Sequence, residues 1–166
     1  SGFAQNGMVV SASKLASETG VEILKKGGNA FDAAVATGFA LAVTFPQAGN
    51  IGGGGFLVAY TSDRESFSLD FREKAPNLAY RDMYLDDSSH VVPGLSLYSH
   101  LAAGTPGSVD GLLKIWRDYG SGKISLRQLL YPAIRLAERG FPISHEFAQV
   151  LNIYHDFFKK DDGARA

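Results

Sequence analysis

The chain has no cysteine among its 166 residues. That absence removes disulfides, thiolate nucleophiles and cysteine-ligated zinc together, and it leaves the redox compartment open. An excess of charge of either sign is also lacking, since 16 basic and 17 acidic side chains leave a net charge of -1. Without a basic field, neither nucleic acid nor an anionic membrane surface is an expected partner. The four histidines, His90, His100, His145 and His155, are widely spaced, and Asp161-Asp162-Gly163 lacks the acidic ladder of a calcium loop. No metal and no other cofactor is therefore expected. No Gly-x-Ser-x-Gly surrounds any serine, which argues against one class of serine nucleophile. No charged segment with an apolar core opens the chain, so a secretory leader is expected to have been removed or never to have existed. Ser1-Gly2 is compatible with a cloning remnant.

What is present is an alternation of helix and strand signals, on a length that suits one domain with a real core. Ser11 or Ser13 can cap a first helix that carries Leu15, Ile23 and Leu24 on one side and stops at Gly27-Gly28. Asn29 caps a second helix, Asp32 reaches back to the free amides of its first turn, and it must end before Pro46. Residues 33–43 of that helix carry no charge on any face, the pattern of a helix buried all round. At about 15 residues it falls short of the roughly 20 that cross a bilayer, so no membrane span is expected.

The glycine run Gly52-Gly53-Gly54-Gly55 precedes the apolar strand Phe56-Leu57-Val58-Ala59-Tyr60. A dinucleotide fingerprint would follow a strand and open a helix, and no Lys-Ser or Lys-Thr follows to make a phosphate loop. Close backbone packing and unusual dihedrals are the better reading of these glycines. Thr61 to Glu65 turn the chain into a second strand, where Phe67, Leu69 and Phe71 alternate with Ser68, Asp70 and Arg72. The two strands make a hairpin, and Arg72 ends it on the polar face. A rigid strand end holding a planar, permanently charged fork suits bidentate capture of a carboxylate. The plainer alternative is a surface arginine paired with Asp70 on the same face.

Asp86-Asp87-Ser88-Ser89 reads as an exposed loop and Val91-Val92-Pro93-Gly94 as a turn. Three more helices follow. Thr105-Pro106-Gly107-Ser108 opens one that runs to about Tyr119, Ser125 with Gln128 opens one that stops at Gly140, and Ser144 opens one that runs to about Lys160. This gives five helices and only two strands; two strands alone make a marginal sheet, and a helix apolar all round needs a cover. The expectation is an incomplete chain, with further sequence adding strands to the hairpin and covering the second helix.

Five blocks stand in the order found in the large subunit of gamma-glutamyltranspeptidases, which the chain resembles along its whole length. They are Gly7-Met8-Val9-Val10-Ser11, Gly27-Gly28-Asn29-Ala30-Phe31-Asp32-Ala33-Ala34, Gly52-Gly53-Gly54-Gly55-Phe56, Asp70-Phe71-Arg72-Glu73-Lys74-Ala75-Pro76 and Gly104-Thr105-Pro106-Gly107-Ser108-Val109. Arg81-Asp82-Met83-Tyr84-Leu85-Asp86 and Ser99-His100-Leu101-Ala102-Ala103-Gly104 look like the bacterial branch.

The resemblance implies an α+β, N-terminal nucleophile hydrolase fold in four αββα layers, made as a proenzyme that cuts itself into two subunits. Residues 1–166 would be a single partial domain, the N-terminal part of the large subunit. The partner would be a small subunit from the same precursor, whose new N-terminal threonine attacks the gamma-glutamyl amide of glutathione or a related donor. Thr19, Thr37, Thr44, Thr61 and Thr105 match no cleavage motif of that family, so no catalytic residue is expected in this chain.

Arg72 matches the arginine that binds the alpha-carboxylate of the glutamyl group. If that guanidinium is buried, losing the carboxylate would penalise a donor by about 2–5 kcal/mol. Glu73 and Asp70 are expected to orient it rather than touch substrate. Bacterial relatives imply a periplasmic or secreted protein. Relatives also include cephalosporin acylases and enzymes acting on poly-gamma-glutamate, and a third possibility is an inactive homologue that serves as a binding domain.

Overall fold

The computed structural model describes residues 4–165, and the Ser1-Gly2 pair lies outside them. In chain order the elements are α1 (Lys14–Lys25), α2 (Ala30–Thr44), β1 (Phe56–Tyr60), β2 (Ser66–Asp70), α3 (Leu95–Tyr98), a 3-10 turn (His100–Ala102), α4 (Ser108–Tyr119), α5 (Leu126–Arg139), α6 (His145–Phe158) and α7 (Asp162–Arg165). The five long helices and the hairpin are those the sequence predicts; α3, the 3-10 turn and α7 are single turns added between and after them.

The helix starts follow from their caps. Ser13 Oγ accepts from the Ala16 amide, and Ser144 Oγ accepts from Phe147 at 3.1 Å. Ser125 and Gln128 close a capping box at α5, as do Asn29 and Asp32 at α2. The second box does more than cap, because Asp32 is fully buried. Its Oδ2 accepts from the Asn29 amide at 3.0 Å and from the Ser121 amide, 89 residues along the chain, also at 3.0 Å. The Asn29 side chain in turn donates to the Tyr119 carbonyl at 2.8 Å. One carboxylate thus ties the start of α2 to the loop between α4 and α5. Asp32→Ala orphans two amides and leaves a hole, for an expected loss of about 2–4 kcal/mol. The urea midpoint checks this, and a shift smaller than that of an exposed acid such as Asp63→Ala would refute the latch.

α2 is the centre of the molecule. It packs against α1, α4 and α5 and leaves only Ala30 and Ala34 of its length exposed. The expectation that its cover lies outside this chain is therefore overturned. Three amphipathic helices each turn an apolar stripe toward it, and its small side chains let them come close. Val35, Ala36 and Phe39 of α2 join Ile23, Ile115, Ile124, Leu129 and Ala133 in one core.

The hairpin lies on that core by one face. Its strands are antiparallel, with Phe56 opposite Asp70 and Leu57 opposite Leu69. Leu57, Leu69 and Phe71 pack inward on the core. Phe67 stacks on Tyr119 at 4.2 Å between ring centres, with Phe31 beside both. The outer face is different on the two strands. β2 presents Ser66, Ser68 and Asp70, whereas β1 exposes Phe56, Val58 and Tyr60.

Candidate functional site

The segment from Phe71 to Lys74 is hydrogen-bonded on two sides, and a third set of bonds lies beneath it. Toward β1, the Phe71 and Gly55 backbones exchange hydrogen bonds of 3.0 and 3.3 Å. Beyond it, Lys74 and Thr105 exchange a second pair of 3.1 and 2.8 Å. Under it, the Gly53 carbonyl accepts from the Gly107 and Ser108 amides at 2.9 and 3.0 Å, anchoring the first turn of α4.

Glycine makes this junction possible by its size. A Cβ on Gly54 would stand 2.6 Å from the Phe71 carbonyl oxygen and 2.7 Å from the Arg72 Cα. A Cβ on Gly107 would fall onto the Phe71 carbonyl, and one on Gly111 onto the Phe71 ring. The close-packing reading of the glycine run is thus sustained. The unusual-dihedral reading is not, since none of Gly52 to Gly55 has a left-handed φ.

Arg72 lies just past β2, which ends at Asp70. This corrects the expectation that Arg72 ends the strand. The amide of Arg72 points away from β1, and the Asp70 carboxylate takes it at 3.0 Å. That turn uses up a donor that a strand pairing on the outer edge of β2 would need.

Asp70 and Glu73 therefore act on different parts of Arg72. Asp70 holds its backbone, while Glu73 Oε2 lies 3.6 Å from its Nε. The alternative of a side-chain pair between Arg72 and Asp70 is not what the structure has. The Glu73 side chain rests against Gly104, and its other oxygen lies over Gly53.

Within this chain the Arg72 side chain is 62% exposed. It reaches back over the outer face of the hairpin, where its Cζ stands 5.6 Å from the centre of the Phe56 ring. Sequence reading missed this contact, because an all-apolar β1 hides which of its residues face outward. The signal was in the turn length, which fixes the register and puts Phe56 and Arg72 on one face.

Beside Arg72 a groove of about 520 Å³ runs down to α4, with Lys74, Thr105, Asp110 and Lys114 in its walls. Lys114 donates to Asp118 at 2.6 Å, and that bond with the carboxylate's charge raises its pKa. The groove carries both signs of charge.

The threonines lie elsewhere or are occupied. Thr19 and Thr44 donate to carbonyls one turn back, at 3.0 and 2.9 Å. Thr37 is buried in α2, Thr61 closes the hairpin turn, and Thr105 belongs to the bridge with Lys74. What the site offers is a cationic fork on a fixed backbone.

Comparison with known proteins agrees along the chain. The family model described as Gamma-glutamyltranspeptidase matches residues 16–166. A glutathione hydrolase proenzyme of Pseudomonas sp. (strain A14) is 49% identical over 158 residues, which is 95% of this chain and 27% of that protein. The crystal structure of Helicobacter pylori gamma-glutamyltranspeptidase matches with a TM-score of 0.93 at 48% identity, covering 98% of this chain and 46% of that one. A cephalosporin acylase from Bacillus halodurans matches at a lower TM-score of 0.79 and 31% identity, over 96% of this chain and 29% of that one. The chain spans about a quarter of the length of the curated relative just described. With both the sequence of residues 16–166 and the fold in common, the chain belongs to the gamma-glutamyltranspeptidase family.

Proposed function

We propose that this chain is the donor-holding part of a gamma-glutamyltransferase and glutathione hydrolase. In this reading Arg72 grips the alpha-carboxylate of a gamma-glutamyl group, with Glu73 orienting its side chain and Asp70 its backbone. The observation that carries the reading is the exposed guanidinium on a backbone fixed by hydrogen bonds to Gly55 on one side and Thr105 on the other. An ordinary surface arginine needs no such anchoring, and a carboxylate fork does.

The nucleophile then comes from a second chain of the same precursor, whose segments complete the four αββα layers. The hydroxyl of its N-terminal threonine attacks the gamma-carbonyl, the C–N bond breaks, and the amine leaves with a proton. Water or an acceptor amine next takes the glutamyl group from the threonine ester. A free alpha-carboxylate separates such a donor from an ordinary peptide bond, so the grip of Arg72 selects as well as holds. Glutathione is the substrate that fits this chemistry, and the bacterial resemblance supports a place of action in the periplasm or beyond.

The full-length protein is expected to mature into two chains and to release the chromophore of a gamma-glutamyl anilide. Gel analysis and a steady-state assay check both. An uncleaved, inactive product would point instead to the binding-domain alternative. Faster turnover of a glutaryl anilide, which lacks the alpha-amino group, would point to an acylase.

A further inference from the structure

We propose that Phe56 is a positioning residue for Arg72, its ring serving as the platform that holds the guanidinium plane in the orientation a carboxylate can use. The inference rests on the reading of Arg72 given above. Phe56 faces Asp70 across the hairpin, and the Gly55–Phe71 pair continues that register, so Arg72 stands diagonal to Phe56 on the same outer face. A diagonal neighbour lies within reach of a long side chain. Directly opposite Arg72 stands Gly54, which has no side chain to compete for the space.

The guanidinium accordingly lies over the Phe56 ring, with Cζ 5.6 Å from its centre. An aromatic face attracts a planar cation and also restricts its tilt, whereas an aliphatic side chain offers contact without a plane. Glu73 Oε2 stands at an ion-pair distance of 3.6 Å on the Nε side of the same group. Among the described residues, that leaves the terminal Nη pair as the fork for a carboxylate. Phe56 itself is 65% exposed and stands outside the core that joins the hairpin to the helices. Among the described residues, Arg72 is the cation that lies over its ring.

The test uses the full-length, processed protein and two donors, a gamma-glutamyl anilide and a 4-aminobutyryl anilide, which keeps the amine and lacks the alpha-carboxylate. Phe56→Leu is expected to raise KM for the first donor about two- to fivefold with kcat nearly unchanged, and to leave the second donor unaffected. Phe56→Tyr restores the KM, since it keeps the ring. Phe56→Met serves in place of Phe56→Leu if the latter does not accumulate as folded protein. An unchanged KM for the gamma-glutamyl donor would overturn the proposal, and so would an equal loss with both donors. Arg72→Ala, run alongside, separates the two levels of the claim. If that variant still prefers the carboxylate-bearing donor, the reading of Arg72 fails. If it loses the preference while Phe56→Leu keeps it, the reading stands and the role of Phe56 fails.

Discussion

Arg72→Ala in the full-length protein is expected to lower kcat/KM for a gamma-glutamyl anilide by about 10- to 150-fold, the equivalent of the roughly 1.5–3 kcal/mol that a hydrogen-bonded charged contact contributes. A fully buried guanidinium would place the loss higher. Most of the loss should appear in KM, since the carboxylate is bound alike in ground and transition states. Arg72→Lys keeps the charge without the fork and should recover only part of it. Steady-state kinetics with the 4-aminobutyryl donor supply the contrast. If Arg72→Ala loses as much with that donor as with the gamma-glutamyl one, the arginine is not reading the carboxylate.

The largest expected effect on stability is at Gly107. Its backbone, with φ -118° and ψ -13°, is open to any residue, so glycine is not needed there for its dihedrals. It is needed for room: an alanine Cβ would run into the Phe71 carbonyl, with the Arg72 carbonyl oxygen 3.1 Å away. Backbone cannot move aside as a side-chain tip can, because Phe71 and Lys74 are hydrogen-bonded on both flanks. Gly107→Ala should cost about 3 kcal/mol or more. It should also displace Arg72 and lower kcat/KM for the gamma-glutamyl donor.

Gly122→Ala is the matched control, since Gly122 has a φ of +71° and no neighbour within 4 Å of a Cβ. There the strain is only conformational, about 1 kcal/mol. Urea unfolding of the two variants decides the matter. Should Gly107→Ala prove no more destabilising than Gly122→Ala, the close approach between α4 and the Phe71 segment is wrong.

These two positions illustrate how much of the site was legible beforehand. Asp70-Phe71-Arg72-Glu73 is visible as a charged stretch at the end of an alternating strand, and the ordered blocks around it lead to the family. The partners of Arg72 are not visible in that way. Spacing favours Asp70 as the side-chain partner, two residues away on one face, yet the Asp70 carboxylate turns to the Arg72 amide instead. A short side chain two residues back reaches the backbone more easily than it reaches the far end of an arginine. Glu73, which spacing places on the opposite face, comes round to the guanidinium only because the strand has ended.

The same division runs through the fold. The sequence by itself determined the helices and the hairpin, since caps, breakers and period-two alternation are local and act within a few residues. It also determined that α2 would be buried, because no face of that helix carries a charge. Only the tertiary structure decided what buries it, which glycines make room for Phe71, and that Asp32 serves the loop at Ser121 as well as its own helix. Those outcomes join residues far apart in the chain, and they depend on which surfaces meet, a matter that no local pattern encodes.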